Sequence, residues 1–234
     1  MTEAEWLACT DPQKLLVCLL RKASGRKLRL FAAARCRLFH PDWDGWWPIR
    51  EAVEAAEQVS DGLCPAGQLT RLHRPWEDFI WAVRWGTIDP TGGSTVLRPT
   101  DLGLVLVQVV SLGPAAAALG VLHDSLRSYF DGRWKGGPQE RRAECHLLRE
   151  AFGNPFRPAT ISPAWRTPQV VALAQAASEE RELPAGTLDQ ARLAVLADAL
   201  EEAGCDQADL LAHLRGPGPH VRGCWAVDLL LGKQ

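Results

Sequence analysis

The sequence lacks most of the short motifs that announce a chemistry. There is no C-x-x-C and no H-E-x-x-H, so no ready-made zinc ligand set is written into one segment. No Walker loop, G-x-G-x-x-G or G-x-S-x-G occurs, which removes the common phosphate-cradling and nucleophile-elbow signatures. "GGS" at Gly92–Ser94 has neither the lysine nor the helix a phosphate loop needs. Net charge is also scarce, at -2, so no global field draws the chain to nucleic acid or membrane. The opening "MTEAEWLACTDPQK" carries acids and no apolar stretch, unlike a signal peptide. Tyrosine and methionine occur once each against ten tryptophans, a bias that goes with the abundant Ala, Arg, Gly and Pro.

The longest apolar run, Leu102–Leu122, is broken by Gln108, Ser111, Gly113 and Pro114 and has no flanking Lys/Arg cluster. It reads as a buried helix and not as a membrane span. Seven cysteines, an odd number without framework spacing, point to reduced thiols and a cytoplasmic location.

What is present is helix punctuation. Thr2 with Glu5 forms a capping box before "EWLAC". Asp11-Pro12 and Thr167-Pro168 are cap-plus-proline starts. Gly62, Gly86, Gly204 and Gly216 are stops for the runs before them. The helix beginning at Thr167 is expected to reach Arg181, and that beginning at Thr187 to end at Gly204. Asp206 is the expected cap of a short helix ending at Gly216, and Trp225 opens the last helix. Strand signals are weak, with only Ser94–Pro99 competing. The expectation is an all-α, orthogonal or bundle-like single globular domain over 1–234, of about nine to eleven helices. A soft boundary falls near 132–138.

Charge is unevenly placed. Eight Lys/Arg and no acid lie between Pro12 and Pro41, and nine acids against two arginines between Ser178 and Asp209. Lys22, Arg26, Arg29 and Arg37 share a helix face opposite Leu28 and Phe31. That stripe is read as a solvated face or one paired with the acidic C-terminal helices, with nucleic-acid binding through 22–37 as a further alternative. The two helices meeting at Gly204 resemble a DNA-reading pair in outline. Beside Gln207 and His213 that second helix carries Asp206 and Asp209, which would repel phosphate, so a plain helical hairpin is expected.

Two Cys/His pairs have four-residue spacing, Cys36 with His40 and His220 with Cys224. On two helices that met, they would form a zinc tetrahedron of two cysteines and two histidines, with Cys205 and His213 as substitutes. The bland reading of the same thiols is small buried hydrophobes. Cys224, His220 and Asp228 are the one local set of the right types for a thiol nucleophile. One helix face stacks such groups along an axis instead of converging them.

The stretch "HLRGPGPHVRGCW", His213–Trp225, holds glycines that permit tight conformations and prolines that fix φ. It is read as a stiff lock between two helices. Arg215 and Arg222 are placed to bond helix-end carbonyls or an acidic partner, and Trp225 to insert into the core. If the chain binds a partner, the candidates are Arg215, His220, Arg222 and Trp225, with Arg26 and Arg29 on the basic face.

Three motifs carry a resemblance: "EAEWLACTDPQKLLVCLLRKASGRKLRLFAAARC", "FGNPFRPATISPAWRTPQ" and "LADALEEAGCDQADLLAHLRGPGPHVRGCWAVDLLLGK". They resemble an uncharacterised family of planctomycete bacterial proteins, and the likeness covers the two ends and not 41–140. Members carry two adjacent cysteines where this chain has Ala34 and Arg35 before Cys36, a departure that weakens a metal or redox role for the basic helix. Some members are appended to larger signalling or repeat-containing proteins, which implies an interaction module. The expected function is therefore a non-catalytic protein-interaction or scaffold module with a protein partner, no cofactor beyond a possible zinc, and no membrane. The alternative is a metal- or thiol-dependent enzyme built on His213, His220 and Cys224.

Overall fold

The computed structural model describes residues 1–19, 22–39, 47–65, 67 and 138–233. The expected helices near 75–86 and 102–122, the candidate strand at 94–99 and the candidate ligand His40 lie outside them. The fold is all-α. Nine α-helices are described: α1 (Glu3–Ala8), α2 (Pro12–Leu19), α3 (Gly25–Phe39), α4 (Trp47–Ser60), α5 (Pro138–Phe152), α6 (Pro168–Glu179), α7 (Gln190–Glu202), α8 (Ala208–Arg215) and α9 (Trp225–Leu231). A 3-10 turn at Pro163–Trp165 precedes α6. Among the described residues no helix is long and apolar enough to cross a membrane.

Contacts divide the chain into two units. One joins both ends, Met1–Ala23 with Glu140–Gln234; the other is Ser24–Gln139.

In the second unit α3 packs on α4. Leu28, Phe31, Ala32 and Cys36 of α3 are buried, as are Ala52, Val53, Ala55 and Ala56 of α4. The basic stripe corrects the sequence reading. Arg37 is almost fully buried and donates to both carboxylate oxygens of Glu57, at 2.7 and 3.1 Å. Arg26 donates to Asp61 at 2.7 and 3.0 Å. Arg29 is half-buried, its Nε has no hydrogen-bond partner, and burial lowers its pKa. Acids of α4 and its C-terminal turn answer Arg26 and Arg37, in place of the solvent or the C-terminal helices that the charge pattern offers. A forked guanidinium matches a carboxylate so well that two of the stripe's charges are already committed.

In the first unit the caps at Thr2 and Thr167 form as the sequence implies. Thr2 and Glu5 exchange hydrogen bonds at 3.2 and 2.7 Å, and Thr167 caps α6 through the Val170 N–H at 3.2 Å. The core is built from Val170, Ala174 and Ala177 on α6, Leu193, Leu196, Ala197 and Leu200 on α7, Leu210 and Leu214 on α8, and Val227 and Leu230 on α9. These spacings place each set on one helical face. Arg166 donates to the Leu230 carbonyl at 2.9 Å, answering the C-terminal end of α9.

Three boundaries differ from expectation. α6 stops at Glu179 and gives way to a hairpin, β1 (Arg181–Glu182) pairing antiparallel with β2 (Thr187–Leu188). Pro184 lacks an N–H and pushes Leu183 out of the helical region, so a continuous helix cannot pass. Asp189, in turn, caps α7 by accepting from the Ala191 and Arg192 N–H groups. α8 is preceded by Gln207, without a side-chain cap, and not by Asp206. The hairpin matters for the site below. Thr187 bridges to Val221, and the Leu188 N–H donates to the His220 carbonyl at 2.8 Å.

Candidate metal centre

Four side chains of the first unit converge: Glu150 from α5, His213 from the last turn of α8, His220 from the following loop, and Cys224 immediately before α9. One donor atom from each lies within 4.8 Å of all the others. Glu150 Oε2 is 3.1 Å from His220 Nδ1 and 3.1 Å from His213 Nε2. His213 Nε2 is also 3.2 Å from Cys224 Sγ. The edges of a zinc tetrahedron with N, O and S ligands run about 3.2–3.8 Å, from bonds of roughly 2.0–2.3 Å. The pairs are thus already near ligand-to-ligand spacing.

The backbone explains how they meet. Glu150 Oε1 accepts the Val221 N–H at 3.3 Å, tying the loop to α5. The hairpin holds the same loop from the other side through the His220 carbonyl. Gly218 permits the tight passage before it, because a Cβ there would sit 2.8 Å from the His220 nitrogen. Gly153 has φ +66 and lies 3.1 Å, by its missing Cβ, from the Trp225 ring. That ring meets the His213 imidazole with centroids 4.9 Å apart, and His213 meets His220 edge-on at 4.9 Å.

Proton positions sharpen the picture. His220 Nε2 is 3.2 Å from the Gly216 carbonyl, which only accepts, so Nε2 carries a proton. Nδ1 then faces the Glu150 carboxylate with either a second proton or a lone pair. A lone pair against a carboxylate is repulsive, so the pair needs a cation between them: a proton or a metal. A histidine whose outer N–H donates to a backbone carbonyl is the usual arrangement of a metal ligand. Burial opposes the Glu150 charge, but hydrogen bonds from His213 and His220 outweigh it and hold the carboxyl at about 2. Burial likewise opposes the charged form of His220, and Glu150 overrides it, raising the imidazole above its ordinary value. Burial and then Glu150 push the Cys224 thiol well up, while the Val227 and Ala226 N–H groups pull the other way.

The sequence candidates separate accordingly. His220 and Cys224 meet in one cluster, though His220 lies in a loop and their spacing is not a helical turn. Cys36 lies in the other unit, fully buried, its thiol pushed up to about 11 by burial. It is not among the converging side chains, and neither is Cys205, buried after α7. Among the described residues the donors that converge are one glutamate, two histidines and one cysteine; the Cys36–His40 pair of the expected set is not placed, because His40 lies outside those residues. Arg215 is committed to Asp198 and Glu201 at 2.6 Å each, within its own helical hairpin. Arg222 is half-buried. Trp225 packs on His213 and Gly153 and is half-buried, instead of entering the core fully. A fully buried Cys224 with a raised thiol pKa is a poor nucleophile without a metal.

Glu150 was absent from the sequence candidates. Its one sequence signal is an acid at an apolar-stripe position, three residues after Leu147 and beside Ala151, both buried.

A cavity of about 590 Å³ adjoins the centre. Glu150, His213 and His220 form part of its wall, with Trp6 and Leu7 of α1 and the loop prolines. No family model, curated protein or solved structure matches this chain, so the planctomycete resemblance stays an expectation.

Proposed function

We propose that the unit formed by both chain ends is a metal-binding module. Glu150, His213, His220 and Cys224 would hold one divalent transition metal, with zinc the best fit to this donor set. The observation that carries the reading is the meeting of four donors on buried or half-buried residues, one of them a histidine oriented by the Gly216 carbonyl. The carboxylate and a thiolate would neutralise a dication, so a loaded centre is an electrically neutral buried core. Bound metal would clamp the 213–225 segment, α5 and α9 together, which is the stiff lock of the sequence reading given a physical agent.

In this reading the centre organises a binding module more than it performs a reaction. The expectation of a protein-interaction role in a reducing, cytoplasmic setting goes with it, because all seven cysteines are free and a reduced Cys224 is needed as ligand. The competing reading is a metal-dependent enzyme on His213, His220 and Cys224, favoured by the cavity at the metal's edge.

The test is elemental analysis of untagged protein, purified with trace zinc and dialysed. One metal per chain is expected, falling to near zero in a variant carrying His220→Ala and Cys224→Ala. Wild-type protein at a ratio near zero removes the reading.

A further inference from the structure

The metal and the cavity are placed to work together. Three of the four candidate ligands line the cavity, while Cys224 does not. A metal held there has its sulfur ligand behind it and the cavity before it. Zinc accepts a fifth ligand when one is presented from an open side.

The walls state what that ligand needs to be. Leu7, Pro217, Pro219 and Trp225 give the cavity apolar faces. Its volume is in the range of small-molecule sites. Among the polar groups of the wall is the guanidinium of Arg149. Arg149 spends its Nη2 on the Trp6 and Cys9 carbonyls at 2.6 and 2.7 Å. Its Nε is fully buried and does not face the cavity, but its positive charge stays in the wall. Among the charged lining groups, Glu3 and Arg157 cancel one another at 2.8 Å. Asp209 is exposed, where water screens it, while the half-buried Arg149 is screened less.

We propose that this cavity binds a small carboxylic acid with an apolar body, its carboxylate on the metal and its body against Leu7, Pro217 and Trp225. The inference rests on the metal reading above. It assigns the metal an exchangeable position and the module a small-molecule ligand, which neither the lock nor the interaction reading includes.

The experiment uses the full chain loaded with cobalt(II), whose visible bands report coordination. Benzoate is the probe, and benzamide is its neutral counterpart of the same shape. Benzoate is expected to shift the bands saturably and benzamide to leave them unchanged. Leu7→Glu puts a like charge at the exposed wall of the cavity. It is expected to weaken benzoate at least tenfold and leave cobalt binding intact. Bound cobalt whose bands ignore benzoate, or answer benzamide equally, overturns this inference and spares the metal reading. So does an unchanged benzoate affinity in the Leu7 variant. A chain that takes up no cobalt overturns both.

Discussion

Glutamine at position 150 is the most informative single change. It keeps the shape of the side chain and removes one charge. The amide oxygen can still accept the Val221 N–H, and the amide nitrogen then faces His220 Nδ1. With no carboxylate to favour a second proton, His220 reverts to the neutral form, keeps its Nε2 proton on the Gly216 carbonyl, and accepts from the amide. The metal-free variant should therefore fold. It loses the difference between a charge-assisted and a neutral hydrogen bond, about 1–2 kcal/mol.

The metal-loaded protein should lose more. A neutral amide is a poor zinc ligand and leaves the centre with one uncompensated positive charge. Outer-sphere changes alone cost roughly 10–100-fold in metal affinity, so losing a ligand should cost about 100-fold or more. At free zinc of about 100 times the wild-type dissociation constant, binding stabilises the wild type by about 2.7 kcal/mol. The same zinc concentration stabilises a variant of hundredfold weaker affinity by only about 0.4 kcal/mol. Thermal melts with and without zinc read this directly. The wild type should gain roughly 5–10 °C and the Glu150→Gln chain about 1 °C. Equal gains in the two proteins would refute the assignment of Glu150 as a ligand.

Two further predictions use the same geometry. In metal-free protein, the Glu150 contribution is present above about 4.5 and is lost as pH falls toward about 2, because its folded value is depressed. The His220 contribution has the opposite sign: its folded value is raised, so the stability is full below 6.5 and is lost as pH rises through the folded value. Metal-free protein should thus melt highest between those limits and lose stability toward neutral pH. Zinc-loaded protein should not show the neutral-pH loss, since protons compete with metal for the same ligands. Parallel pH profiles with and without zinc would contradict this. Gly218→Ala should weaken metal binding at least about tenfold, as a misplaced supporting group does, because its Cβ would press to 2.8 Å on the His220 backbone nitrogen. Zinc titration would show it, and unchanged affinity would mean the loop relaxes freely.

The parts legible in the sequence are those with local causes. The Thr2–Glu5 box and the Thr167-Pro168 start each involve residues three or fewer apart, and both form. The α6 terminus is local only in part: Pro184 bars a helix through Leu183, but the hairpin that takes the last turn is also held from outside, by Val221 and the His220 carbonyl. The basic stripe escapes it for a related reason. Nothing between Pro12 and Pro41 can balance it, while the acids that do, Glu57 and Asp61, lie 20 and 35 residues from their partners. Glu150 lies 70 residues from His220, so no spacing rule reaches it. The cue left is chemical, an acid where a helix face is otherwise apolar.

That cue bears on what the centre is for. A buried carboxylate paired with two histidines is costly to assemble for stability alone, since a well-packed apolar set of similar volume often serves as well or better. The first unit already has such a core in α6, α7, α8 and α9. Nor does a purely thiol chemistry account for the arrangement. Cys224 is fully buried, and that burial, followed by Glu150, raises its pKa where a catalytic thiol needs it lowered. A bound dication reverses both objections at once. It replaces the proton that His220 otherwise needs against Glu150, and it turns the thiol into a thiolate whose charge then helps instead of costing. The side chains that are a liability in the metal-free protein are the same ones that balance the charge of a bound dication.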